Sequence, residues 1–193
     1  MLLTFEEAVA LLRNHTEWWS ACFNTQQPIF QFFNREFVDA LAHYLKERKK
    51  ISKSRRIILE VGAGSGLLSE ELRKRGINII ATDDGYEEIV PVAPVKLLDY
   101  HEAIRRFRPN IVICSWMPYQ EDWTPAFRRP KYVKEYILIG ESYRGCCGSD
   151  KTWKYHPGFE EVFLKGINKW SLCRRDYSEH KLHSVVISFR RYK

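Results

Sequence analysis

The residues best equipped for chemistry lie in Glu60-Val61-Gly62-Ala63-Gly64-Ser65-Gly66, after the apolar run Ile57-Ile58-Leu59 and before Leu67-Leu68. Alternate glycines let a chain turn tightly and let a ligand lie against bare backbone. A helix beginning at Leu67 would offer unpaired N–H groups to a polar or acidic ligand group. The spacing is GxGxG. A dinucleotide loop, GxGxxG, would need glycine where Leu67 stands. Glu60 adds a carboxylate at the strand end, which repels a pyrophosphate and attracts an ammonium. Two more acids close apolar runs: Asp83 after Ile79-Ile80-Ala81-Thr82, with Asp84 adjacent, and Asp99 after Lys96-Leu97-Leu98, followed by Tyr100. An acid at the first place can accept from both hydroxyls of a ribose. One at the second can accept from an adenine amino group. Singly, each acid is an ordinary cap or loop residue. Three at successive strand ends, behind a glycine loop, point to one nucleoside-like ligand.

Holding those groups together requires a sheet. Ile57–Val61, Ile77–Ala81, Val95–Leu98, Ile111–Cys114 and Tyr136–Ile139 are short and nearly all apolar, as buried parallel strands are. Leu67–Arg75, His101–Phe107 and Ala126–Val133 read as helices between them. The alternation predicts an α/β fold, a parallel sheet with right-handed crossovers. After Pro157, Phe159–Ile167 reads as a helix, and Trp170–Asp176 with Ser184–Arg191 as two strands of a C-terminal antiparallel hairpin. Residues 1–50 read as a helical extension. Thr4 is placed to cap a first helix carrying Glu6 and Glu7 in its first turn. Pro28 is placed to open a second, with Phe30, Phe33, Phe37, Leu41 and Leu45 as one stripe. Packing accounts for most of the aromatics here, Trp18, Trp19, Phe23 and Phe32 included. One or two remain candidates for a substrate pocket. The expected division is a cap over 1–50 and a main domain over 51–193.

Over roughly residues 55–140 the glycine motif and its acids resemble the class I S-adenosylmethionine-dependent methyltransferases. The resemblance implies a Rossmann-like, mostly parallel seven-stranded sheet with helices on both faces and an antiparallel last strand. It implies S-adenosyl-L-methionine as cofactor, held by Glu60, Gly62, Ala63, Gly64 and Gly66. Asp83 or Asp84 would take the ribose, Asp99 and Tyr100 the adenine, and Ser115 would reach the ligand from beyond the fourth strand. A helical extension over the active site is common in that family and would suit residues 1–50.

Methyl transfer from a sulfonium is an in-line displacement that needs alignment and dryness more than acid–base help. No Ser-His-Asp arrangement is expected. The acceptor belongs beyond the fourth strand, at Ser115-Trp116-Met117-Pro118-Tyr119. Amino-methylating members resemble Asn/Asp-Pro-Pro-Tyr here. Pro118-Tyr119 matches the last two positions, and Trp116-Met117 departs from the first two, which speaks against N-methylation of a nucleobase or amide. Trp116, Met117, Pro118 and Tyr119 stand as candidate substrate contacts, and Tyr119 also as a candidate catalytic residue. Glu141, closing the fifth strand, is the other catalytic candidate: it could bind or deprotonate an acceptor, or pair with Arg144. Trp153 and His156 fall in the loop that completes the acceptor pocket in the family.

The bulk composition, 45% hydrophobic and 28% charged, is that of a soluble globular protein. No apolar run suffices to span a bilayer, and the start lacks the basic n-region of a secretory signal. Cys22, Cys114, Cys146, Cys147 and Cys173 make no CxxC pair, so neither a metal site nor a disulfide framework is expected and a reducing cytoplasm is. The net charge is +7, and residues 151–193 hold ten Lys/Arg against four Asp/Glu. That basic C-terminal region would suit nucleic acid; a solvated surface is the plainer account. The expected function is methyl transfer from S-adenosylmethionine to a small molecule or a protein or RNA group. The alternative is a non-catalytic module that binds S-adenosylmethionine, RNA or protein on the same fold. A nucleotide-dependent oxidoreductase is disfavoured by Leu67 and Glu60.

Overall fold

Side chains on successive strand residues face opposite sides, and that alternation divides the core into two layers. The computed structural model describes residues 2–50, 57–142, 145–176 and 183–192. Its helices are α1 (Phe5–Arg13), α2 (His15–Cys22), α3 (Arg35–Lys50), α4 (Leu67–Lys74), α5 (Tyr100–Phe107), α6 (Thr124–Arg128), α7 (Asp150–Lys154) and α8 (Lys165–Asn168). Its strands are β1 (Ile58–Val61), β2 (Ile79–Asp83), β3 (Lys96–Leu97), β4 (Ile111–Ser115), β5 (Glu135–Glu141), β6 (Phe159–Phe163) and β7 (Ser184–Arg191). They form one seven-stranded sheet of order β3-β2-β1-β4-β5-β7-β6. The pairs from β3 to β5 are parallel, and β7 lies antiparallel between β5 and β6. This is the Rossmann-like architecture that the strand–helix alternation predicts. Strand order reverses between β1 and β4, and in open α/β sheets ligands bind beyond the strand ends at such a reversal.

Ile58, Ile111, Ile113, Ile137 and Ile139 pack with Phe37, Leu41 and Leu45 of α3 and with Leu68 and Leu72 of α4. Leu59, Val112, Cys114, Tyr136 and Leu138 pack on the other face with Ala103, Ile104 and Phe127. Each large apolar side chain so buried contributes about 1.5–3 kcal/mol. A polar pin adds to α3. The buried Glu135 carboxylate accepts from the Tyr44 hydroxyl, from Arg48 Nε at 2.6 Å and from Ser188 Oγ at 2.7 Å.

Thr4 caps α1 as expected, in a reciprocal box with Glu7. The second long helix departs from expectation. It starts at Arg35, because Asn34 Oδ1 accepts from Phe37 N (2.8 Å) while its Nδ2 donates to Trp170 O (2.8 Å). Pro28 opens no helix, and Phe30 lies outside the stripe. The chain around 30–34 instead runs beside 170–174. Phe32 N donates to Leu172 O and Arg174 N to Phe30 O, around a single bridge between Gln31 and Cys173. Trp170–Asp176 therefore stays out of the sheet.

β7's partner is β6, cut from the stretch expected to be helical over Phe159–Ile167. Phe159 is buried and Glu160 and Glu161 are exposed at the sheet's edge. An edge strand with one covered face has few apolar residues, so its sequence resembles a helix face. The helix expected over Ala126–Val133 ends at Arg128, two residues before Pro130, which has no N–H to donate back and continue the helix. The boundary expected between 50 and 51 borders residues 51–56, which lie outside those described. Among the described residues no helix is long and apolar enough to cross a membrane.

Candidate functional site

β1 ends in the glycine loop. Gly62, Gly64 and Gly66 have φ of +62°, +51° and +76°, the left-handed region that penalises any side chain. At Gly66 a Cβ would also lie 2.6 Å from Val95 Cγ2. The loop is tied to the next strand: Ala63 N donates to Thr82 O (3.0 Å) and Gly64 N to Asp83 Oδ2 (2.8 Å). Asp83 Oδ1 accepts from Gly85 N (2.8 Å). Each Asp83 oxygen has two lone pairs, so both can still accept from ligand hydroxyls. Asp84 is exposed and accepts from Tyr86 N. Asp99 caps α5, taking His101 N (2.8 Å) and Glu102 N (3.1 Å) on one oxygen, Oδ1.

Glu60 is buried and accepts a hydrogen bond from the Ser69 hydroxyl of α4. Burial pushes its carboxyl up to about 7, against the Ser69 bond and the Arg73 charge. Trp123 joins the two halves of this region. Its ring stacks on Tyr100 at 4.5 Å and 13°, and a Cβ on Gly62 would lie 3.0 Å from it. Ser69 and Trp123 escape sequence reading. Ser69 looks like any surface serine one turn into a helix, and Trp123 sits in a loop without periodicity.

The residues present fit S-adenosylmethionine. Three bare-backbone turns, a ribose-type carboxylate and a buried carboxyl under the loop surround the β1–β2 end. Beside them, at the end of β4, Ser115 Oγ is buried with no hydrogen-bond partner among the described residues.

The residues expected to meet an acceptor begin one strand over. Trp116 takes a left-handed φ of +59° directly after β4. Its N–H donates to Ile139 O (2.8 Å) and its Nε1 to Gln31 Oε1 (3.1 Å), and its ring packs on Phe30 at 5.6 Å. Trp116 then lines a cleft of about 430 Å3 together with Trp18, Trp19, Phe23, Arg174 and Arg175. Glu141 holds two residues of that cleft, Cys146 and Arg175. It is buried, accepts from Cys146 N (2.8 Å) and pairs with Arg175 Nη1 (3.3 Å). The alternative partner, Arg144, lies outside the described residues.

Other candidates fall elsewhere. Met117 is buried, its sulfur accepting from Trp123 N. Pro118 is exposed, Tyr119 is 66% exposed, and neither lines the cleft. Trp153 is buried and donates to Cys147 O (2.7 Å). His156 stacks 3.6 Å from Phe189 and bonds the Tyr136 hydroxyl, and burial holds its imidazole down at about 4. Both belong to the packing of the second core layer rather than to the cleft. Within the basic C-terminal region Arg190 donates to Tyr44 and Arg191 to the carbonyls of Arg128, Pro130 and Val133, whereas Lys151, Lys154, Lys165 and Lys169 are exposed.

No protein-family profile and no curated protein sequence matches this chain. Solved structures do. The CurJ carbon methyltransferase superposes with a TM-score of 0.54 at 15% identity, over 81% of this chain and 54% of that one. The chain thus spans about half the length of that protein. Magnesium protoporphyrin IX methyltransferase (ChlM) from Synechocystis PCC 6803, solved with bound SAM, gives 0.46 at 12% identity over 98% of both chains. The 23S rRNA methyltransferase ErmE gives 0.45 at 18%, over 82% of this chain and 68% of its own. At such identities the likeness is one of fold: the chain has the Rossmann-like fold of the class I methyltransferases.

Proposed function

We propose that this protein binds S-adenosyl-L-methionine at the β1–β2 end of the sheet and transfers its methyl group to an acceptor held beside Trp116. The observation that carries the reading is the triple-glycine turn bonded through Gly64 N to Asp83 at 2.8 Å. When bound, the cofactor supplies an electrophilic methyl group on a sulfonium. Asp83 accepts from the ribose hydroxyls, with Asp84 next to it. Asp99 and Tyr100 meet the adenine, and Ser115 Oγ gains the partner it otherwise lacks. Gly62, Ala63, Gly64 and Gly66 offer bare backbone and the N–H groups opening α4, while Glu60, bonded to Ser69, lies beneath them. On the acceptor side Trp116 aligns the nucleophile, Glu141 positions Arg175, and residues 1–50 act as a cap that keeps water out. Tyr119 and Pro118 contact only the part of an acceptor that projects from the cleft.

Calorimetric titration with S-adenosylmethionine, S-adenosylhomocysteine and NADH tests this. Saturable micromolar binding of the adenosyl ligands alone is expected. No binding, or preference for NADH, overturns it. A second reading, a non-catalytic binder on the same fold, is favoured by one observation: Trp123 lies across Gly62 and stacks on Tyr100, where a ligand would pass. Cofactor binding without methyl incorporation into any acceptor would support that reading instead.

A further inference from the structure

The cleft beside Trp116 has a composition with a chemical consequence. Trp19 and Phe23 stack at 4.5 Å and 24°, and Trp18 meets Phe23 edge-on at 5.3 Å. Trp19 is 56% exposed and Phe23 40% exposed, so these rings form an open apolar wall rather than a sealed core. Such a wall offers flat π-surfaces for a planar ligand. Aromatic cages often serve cations. Here two guanidiniums line the same space and repel them. Arg174 lies over Phe30 at 4.2 Å and over Phe23 at 5.1 Å, its main-chain carbonyl fixed by Trp18 Nε1 at 2.8 Å. It makes no ion pair among the described residues. Arg175 is balanced by Glu141, so the cleft keeps the Arg174 charge in excess. A guanidinium stacked in this way presents a planar set of donors that matches a carboxylate. The volume, about 430 Å3, is at the small-molecule end of ligand pockets.

We propose that this cleft binds a flat aromatic anion, an aryl carboxylate, through the rings of Trp18, Trp19, Phe23 and Trp116 and the guanidinium of Arg174. That this ligand is also the methyl acceptor rests on the function proposed above; the binding itself does not. The ligand ring meets the exposed parts of Trp19 and Phe23, and the carboxylate accepts from Arg174. Trp116 joins the cleft to the end of β4, so a ligand in it lies on the acceptor side of the β1–β4 reversal.

The test is titration of the whole chain, without cofactor, against 2-naphthoate. Two controls separate the forces: 2-naphthylmethylammonium keeps the ring and reverses the charge, and cyclohexanecarboxylate keeps the charge and removes the π-system. Saturable naphthoate binding is expected, with both controls at least about tenfold weaker. Trp19→Ala should weaken naphthoate about tenfold. Arg174→Gln should weaken it roughly ten- to a hundredfold and erase the preference over the ammonium. Trp19 is largely exposed, so its variant keeps the fold, which thermal melting checks. Absent naphthoate binding, equal binding of all three probes, or indifference to both substitutions overturns the proposal. A parallel titration with S-adenosylmethionine keeps the two ideas apart. Naphthoate binding without cofactor binding upholds the cleft and defeats methyl transfer, and the reverse result defeats the cleft alone.

Discussion

The two ends of the β1–β4 crevice are made in different ways. The proposed cofactor end is local: Glu60 to Gly66 and the acid of the next strand make it, through backbone shape and main-chain hydrogen bonds. The proposed acceptor end is assembled from five distant stretches, α2 with Phe23, Gln31, the residue after β4, Cys146 and the 170–175 segment. A site made of backbone needs particular residues at fixed spacing. A site made of side chains from remote segments leaves no such spacing. A methyl donor common to many reactions suits the first kind, and an acceptor particular to one reaction suits the second.

The largest effect separating the two ends should be at Glu60. Its folded pKa of about 7 lies above its ordinary 4.5, so burial favours the protonated form. The stability this gives is complete below pH 4.5 and is lost as pH rises through 7, by about 3 kcal/mol. Glu60→Gln keeps an acceptor for Ser69 and cannot ionise. Melting curves at pH 5 and pH 8 should therefore fall with pH for the parent and stay flat for the variant, while the cleft is unaffected. Parallel curves would remove Glu60 as a titrating group.

Next comes Asp83→Ala, which removes the loop's tie and the ribose acceptor together. Affinity for S-adenosylmethionine should drop by about 1–3 kcal/mol in calorimetry, with ligand binding in the cleft unchanged. Trp123→Ala tells a wall from a plug: weaker cofactor binding makes the indole part of the site, and tighter binding makes it an obstruction over Gly62. We expect weaker binding, by about 1 kcal/mol, from loss of ring contact. The smallest effect is expected at Gln31→Ala. It leaves Trp116 Nε1 without its partner, lowering naphthoate affinity by about 1 kcal/mol and sparing the cofactor.

The contrast also explains what the sequence could reveal. The glycine loop, Asp83 and the five parallel strands were legible because buried strands and tight turns constrain residue type directly. β6 was not: an edge strand with Glu160 and Glu161 exposed resembles a helix until its pairing with β7 is known. Trp170–Asp176 has strand-like residues and pairs instead with the chain at 30–34, a choice made by Asn34 and by packing far away in sequence. In the proposed acceptor cleft Trp116 was legible from its place after β4 and Trp18, Trp19 and Phe23 only as members of an aromatic group, whereas Arg174 had no local signal. Tyr119, Trp153 and His156 were named from the family's loop positions, and the structure gives two of them to the core and leaves the third exposed.

Whether the glycine loop holds the methyl donor is decided by a crystal structure with S-adenosylhomocysteine. Ligand density is expected against Gly62–Gly66 with its ribose hydroxyls on Asp83. Density confined to the Trp116 cleft, or none along the loop, would contradict it.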